Sequence, residues 1–306
     1  MECSKIEDKS NEALADQANH TIQSLLDKDY FTSKFSPHVV EIFSALIKSV
    51  PHSQVTKTFD AILETIVTPD YIEVFMKNID VLLELVRLLV LRIQHELEYL
   101  KKFPVQNTPN HIMAKCWSII RKIGEIEEYS ALHLGEFEKA MEPLLPELDN
   151  EKNELLTENL LSFVQTTIKL NKNVTPFAWK VFQHFPKIFD NFQNMLSSIF
   201  PPLNQIIVYG HGEINKDPEA IKILVEMGIS GLVPSNPIAD ESNVSEAALL
   251  LQLILQYLQP LTEEQFQNII VSVIDRIPNA DNDFLKARYP HFSNEYSNII
   301  FLDLEE

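Results

Sequence analysis

Glycine is almost missing from this chain: six residues among 306, against a usual share of roughly 7%. That scarcity argues against tight β-hairpins, Rossmann turns and P-loops, which need glycine's positive φ or bare backbone. Cysteine is scarcer still. Cys3 and Cys116 cannot build a disulfide framework, and neither stands in a metal-spaced cluster. Basic charge is also in deficit, with 25 Lys and Arg against 44 Asp and Glu, a net charge of −19. Such a field repels phosphate backbones and anionic lipid, so direct nucleic-acid binding is not expected; it suits basic partners, or serves only to keep the protein soluble. Long apolar runs are lacking as well. The longest, Ile79 to Ile93, is too short to span a bilayer and carries Asp80, Glu84, Arg87 and Arg92, so it reads as a buried helix rather than a membrane insertion. The opening residues MECSKIEDKSNEAL have neither the basic start nor the apolar core of a signal peptide. An intracellular protein is expected, and the N-x-[ST] triplets at Asn19, Asn173 and Asn243 are then chance matches.

Signatures of catalysis are missing too. His95-Glu96 is followed by Tyr99 where a metalloprotease helix needs its second histidine. Tyr209-Gly210-His211-Gly212 has no strand before it and no GK[ST] after it, and reads as a helix–helix corner. DDxxD and serine-nucleophile motifs do not occur. His184, set among aromatic residues, reads as a core or solvent-edge histidine. No catalytic, metal-binding or cofactor-binding residue is assigned, and neither enzyme activity nor a cofactor is expected.

What the chain does have is a repeated local device: a hydroxyl residue, a proline, then an amphipathic stretch. It occurs at Ser36-Pro37, Thr68-Pro69, Thr108-Pro109 and Thr175-Pro176. The hydroxyl caps the helix start, and proline at the first helical position sacrifices no hydrogen bond. After Thr175-Pro176, residues Phe177, Val181, Phe182, Phe185, Ile188 and Phe189 recur at helical intervals, and Pro186 should bend or stop the helix. Helices are expected near residues 11–29, 37–50, 52–66, 69–100, 109–126, 132–148, 151–171, 176–189, 191–209, 217–231, 241–258, 262–276 and 281–289. Pro201-Pro202 is expected to kink or split the helix over 191–209. The aromatic face of 176–189 is expected to pack on helix 151–171 before it and helix 191–209 after it.

Successive short helices with facing apolar stripes bury those stripes by stacking as pairs. Of the proline spacings of the device, that from Pro69 to Pro109 matches the lower end of the HEAT and armadillo periods and that from Pro37 to Pro69 falls short of it. The expected fold is therefore all-α, a HEAT-repeat-type α-solenoid (an armadillo-like superhelix), with a compact helical bundle as the alternative. Residues 1–10 are expected as a flexible N-terminus, 11–290 as a single array and 291–306 as an acidic tail.

The ordered segments Ala15 to Glu64, Ile66 to Ile79 (IVTPDYIEVFMKNI), Thr157 to Phe192 (TENLLSFVQTTIKLNKNVTPFAWKVFQHFPKIFDNF) and Ser245 to Ile277 resemble HEAT units of the importin-β superfamily of nuclear transport receptors. The similarity is to the branch of importin seven and importin eight, over roughly residues 15 to 277, in its middle to C-terminal region. The resemblance implies a receptor segment that binds basic protein cargo, accepts pore-protein phenylalanines between outer helices, and shuttles between cytoplasm and nucleus. It implies Ran-GTP control for a full-length receptor; the family's Ran-binding N-terminal repeats have no counterpart here, so Ran binding is not expected of this chain alone. Candidate acidic cargo contacts are Glu147, Asp149, Glu151, Glu154 and Glu158. The alternative is a HEAT-repeat scaffold subunit without a transport role.

Overall fold

The computed structural model describes residues 79–104, 108–232 and 241–276. The expected helices over 11–29, 37–50, 52–66 and 281–289, the Ser36-Pro37 and Thr68-Pro69 devices, and both terminal segments lie outside them. The described residues form ten α-helices and no strand, so the fold is all-α there. Packing divides the chain into two units, Met1–Asn191 and Phe192–Glu306.

The first unit contains α1 (Ile79–Lys102), α2 (Thr108–Glu125), α3 (Glu127–Met141), a 3-10 helix (Glu142–Asp149), α4 (Glu154–Asn171), α5 (Pro176–Phe182) and α6 (Phe185–Asn191). The helix expected over 132–148 is thus two elements. Pro143 and Pro146 cannot donate backbone bonds, and the chain tightens into 3-10 turns that still bury Leu144, Leu145 and Leu148. In this unit α1 packs on α2 and α3, and α2 packs on α3 and α4. Trp117, Phe137, Phe185, Leu82 and Leu89 are its largest fully buried side chains.

The Thr175-Pro176 device forms as its residues dictate. Thr175 is extended, its hydroxyl accepts the Ala178 N–H at 3.1 Å, and Pro176 opens α5. The chain then breaks at Gln183-His184, placing Pro186 second in α6, where a missing N–H costs nothing. Phe177, Val181, Phe185 and Ile188 are buried. The main packing of α5 is on α3 and the 3-10 helix, and that of α6 is on the 3-10 helix. These take the place of helix 151–171 as the leading neighbours.

The second unit contains α7 (Leu196–Ile214), α8 (Pro218–Leu232), α9 (Glu241–Tyr257) and α10 (Glu263–Arg276), with one 3-10 turn, Gln193–Met195. Here α9 packs against both α7 and α8, and α8 also packs on α10. Two expectations are revised, the first only in its alternative of a split. Pro201-Pro202 does not split α7, which continues to Ile214. Two backbone bonds are forfeited, but Ile199, Phe200, Pro202 and Leu203 are all buried, and that packing outweighs the loss. Consequently Tyr209-Gly210-His211-Gly212 lies inside α7 rather than at a corner. The corner falls at Asn215–Asp217, where Asn215 Nδ2 donates to the Tyr257 carbonyl and Asn215 Oδ1 accepts from the Gln259 N–H. A capping box starts α10: Thr262 Oγ1 accepts from the Gln265 N–H, and Gln265 Oε1 accepts from the Thr262 N–H.

Two of the scarce glycines allow close helix approach. A Cβ on Gly231 would stand 2.9 Å from the Ala247 Cβ and the Phe200 ring, and one on Gly228 would stand 2.5 Å from Leu251. At Gly212 nothing lies within 4 Å. Gly212→Ala should therefore raise stability by up to about 1 kcal/mol through helix propensity. Gly231→Ala should lower it by about 1 kcal/mol, because the overpacking exceeds the same propensity gain. Thermal unfolding of the two variants will show opposite shifts if α8, α9 and α7 meet as described.

Candidate functional site

The five candidate carboxylates run from the end of the 3-10 helix into the first turns of α4, and the structure sorts them into two kinds. Glu147 and Asp149 are engaged within the fold. Glu147 Oε1 pairs with Lys101 Nζ at 2.7 Å, and Glu147 Oε2 accepts from Asn153 Nδ2 at 3.0 Å. Lys101 also reaches Glu98 at 2.8 Å. Bonding to Glu147, then to Glu98, raises the Lys101 pKa, and Lys101 lowers that of Glu98. Asp149 Oδ1 lies 2.8 Å from His184 Nδ1, and its carbonyl accepts from Asn191 Nδ2. These contacts join the end of α1, the 3-10 helix, the start of α4 and the α5–α6 turn.

Glu151, Glu154 and Glu158 are exposed. Glu154 stands in the first turn of α4, where the macrodipole favours a negative charge, and Glu158 follows one turn later on the same face. This trio can offer charge-assisted hydrogen bonds to lysine or arginine side chains without dismantling the corner beneath it.

His184, read from the sequence as a core or solvent-edge histidine, is a participant whose partner sequence reasoning did not supply. It bridges to Asp149, 35 residues away, and no local pattern announces such a pairing. The His95-Glu96 pair is likewise structural: Glu96 is fully buried and meets Arg92 at 2.7 Å. Cys116 is fully buried beside that pair, and burial pushes its thiol far above the usual range, so it is no thiolate nucleophile at neutral pH. Cys3 lies outside the described residues.

A second titratable group sits at the α3–α5 contact. Glu138 is 4% exposed and accepts the Thr175 hydroxyl at 2.6 Å. Burial raises its pKa to about 7, against the smaller opposing effect of the Thr175 bond and with a further rise from Glu142. Glu142 is itself paired with Lys180 at 2.6 Å. The group is enclosed where α3 and α5 pack.

Among the described residues no three or more His, Cys, Asp or Glu are placed to hold a metal ion. No described helix is long and apolar enough to cross a membrane. Compared with protein-family profiles, curated proteins and solved structures, the chain shows no match to any of them.

Proposed function

We propose that the chain is a HEAT-repeat-type scaffold that binds basic protein segments, as a segment of a nuclear transport receptor. The observation that carries this reading is the exposed trio Glu151, Glu154 and Glu158 at the head of α4, in a chain of net charge −19. Lysine- or arginine-rich cargo would be drawn in by the whole field and held by the trio. Packing of helices on their next-but-one neighbours, α1 with α3, α2 with α4 and α8 with α10, suits a stacked array and supports the solenoid. The transport setting, with pore-protein phenylalanines as partners and cytoplasm and nucleus as locations, follows from the resemblance of the Thr157–Phe192 and Ser245–Ile277 segments to importin-β-type units.

Two measurements test the reading. Solution scattering should give a radius of gyration well above the about 19 Å of a compact domain this long. Immobilised chain should capture core histones in a salt-sensitive manner, and Glu151→Gln/Glu154→Gln/Glu158→Gln should weaken capture about tenfold, since exposed pairs are worth roughly 0.5 kcal/mol each. Capture unaffected by salt or by the triple substitution would overturn the cargo role of the trio. A compact radius would overturn the solenoid.

A further inference from the structure

The carboxylate excess is not spread evenly. The unit Phe192–Glu306 has 16 acidic residues against five basic ones. Of those five, Lys216 and Lys222 are already engaged, with Glu213 at 2.6 Å and Glu219 at 3.8 Å respectively.

Within this unit α10 is unlike its neighbours. Among its described side chains only Ile269 is fully buried. Phe266 is 42% exposed, Val271 55% and Ile274 37%, while Ile270 and Val273 are half-buried. Phe266, Ile270 and Ile274 follow one another at four-residue intervals, a line about 12 Å long at the helical rise. Val273 and Val271 flank it on either side. Single exposed apolar residues are ordinary, but an aligned stripe on one helix marks a contact surface. Glu263 and Glu264 stand at the head of the same helix, both exposed. Glu226 is exposed on α8, against which α10 packs.

Charge decides which occupant suits this face. A second copy would bring the same acidic unit against itself, and repulsion would oppose the apolar gain. A basic amphipathic helix gains on both counts, its apolar face covering the stripe and its flanking lysines or arginines meeting the carboxylates.

We propose that the Phe266–Ile270–Ile274 stripe of α10 is a docking surface for a basic amphipathic helix. This surface lies in the other unit from the α4 trio and shares with the proposed cargo only the sign of the partner's charge.

The probe is a fluorescein-labelled leucine/lysine peptide of about 18 residues, long enough to form a helix with one apolar face, titrated into the full chain by anisotropy. The controls are a scrambled peptide of the same composition and a leucine/glutamate counterpart. The leucine/lysine peptide should bind, and Phe266→Ser/Ile274→Ser should weaken it by about tenfold or more, with helical circular dichroism at the assay temperature unchanged, because both residues are only partly covered. Equal binding of the scrambled peptide, equal affinity for the double variant, or no binding to the wild-type chain would overturn the proposal. So would light scattering that finds a wild-type dimer abolished by the double variant, since the occupant would then be a second copy. Glu151→Gln/Glu154→Gln/Glu158→Gln should leave peptide affinity unchanged, and the double variant should leave histone capture unchanged. Failure of one surface is thereby told apart from failure of the other.

Discussion

Phe177→Asp is expected to destabilise the first unit by about 4 kcal/mol or more. Phe177 is 3% exposed and lies on α5, which packs on α3 and the 3-10 helix Glu142–Asp149. Deleting a buried phenylalanine ring costs about 3–5 kcal/mol on its own. An aspartate adds the burden of a carboxylate that must stay protonated or drag water into the site. The chain has only two tryptophans, Trp117 and Trp179, and both lie in the first unit, so their fluorescence during urea unfolding is a probe placed in that unit. The midpoint should fall sharply with little change in slope. Phe266→Asp, at a residue 42% exposed, is the comparison and should shift this midpoint far less. Equal midpoints for wild type and Phe177→Asp would show that α5 is not seated in this core.

The contrast between Phe177 and its surroundings shows what the amino-acid string can reveal. The cap, the proline and the apolar intervals of α5 are local: Thr175 reaches Ala178, three residues on, and the signal is complete within two turns. All-α character is legible for the same reason, being a sum of such local signals with almost no glycine to break them. Sequence spacing also placed a helix boundary near Pro186, because a missing N–H is a local defect. It left open a kink or a split at Pro201-Pro202, and the helix is not split there, a decision that belongs to buried neighbours such as Phe200 and Leu203 that no local rule weighs.

The candidate site was half legible for a related reason. Acidic residues near a helix start are visible in the string, and Glu151, Glu154 and Glu158 are indeed exposed. Glu147 and Asp149 look the same in sequence, yet they meet Lys101 and His184 across 46 and 35 residues. Carboxylates do not announce their partners. The α10 stripe was hidden in the opposite sense, since its apolar spacing is that of any helix facing a core, and only packing reveals which residues stay uncovered.

Among the described residues, Glu138→Gln should change the pH dependence of stability more than any other single carboxylate substitution. Unfolded, Glu138 has the ordinary value of 4.5; folded, burial lifts it to about 7. Below pH about 4.5 both states hold the proton, and the group contributes nothing. Between pH 4.5 and 7 the folded state keeps the proton and the unfolded state releases it, so stability falls as pH rises. Above pH 7 the full penalty stands, about 3 kcal/mol for a shift of this size. Glutamine keeps an oxygen for the Thr175 hydroxyl, so the cap of α5 and its link to α3 survive while the titration disappears. Tryptophan-detected urea unfolding at about pH 4.5 and about pH 8 separates the two effects. The variant should match wild type at the lower pH and exceed it by up to about 3 kcal/mol at the higher. Other carboxylates titrate equally in both proteins and cancel in the difference. A variant that is weaker than wild type at the higher pH would mean that Glu138 is ionised and favourably held there, and the buried contact with Thr175 would have to be redrawn.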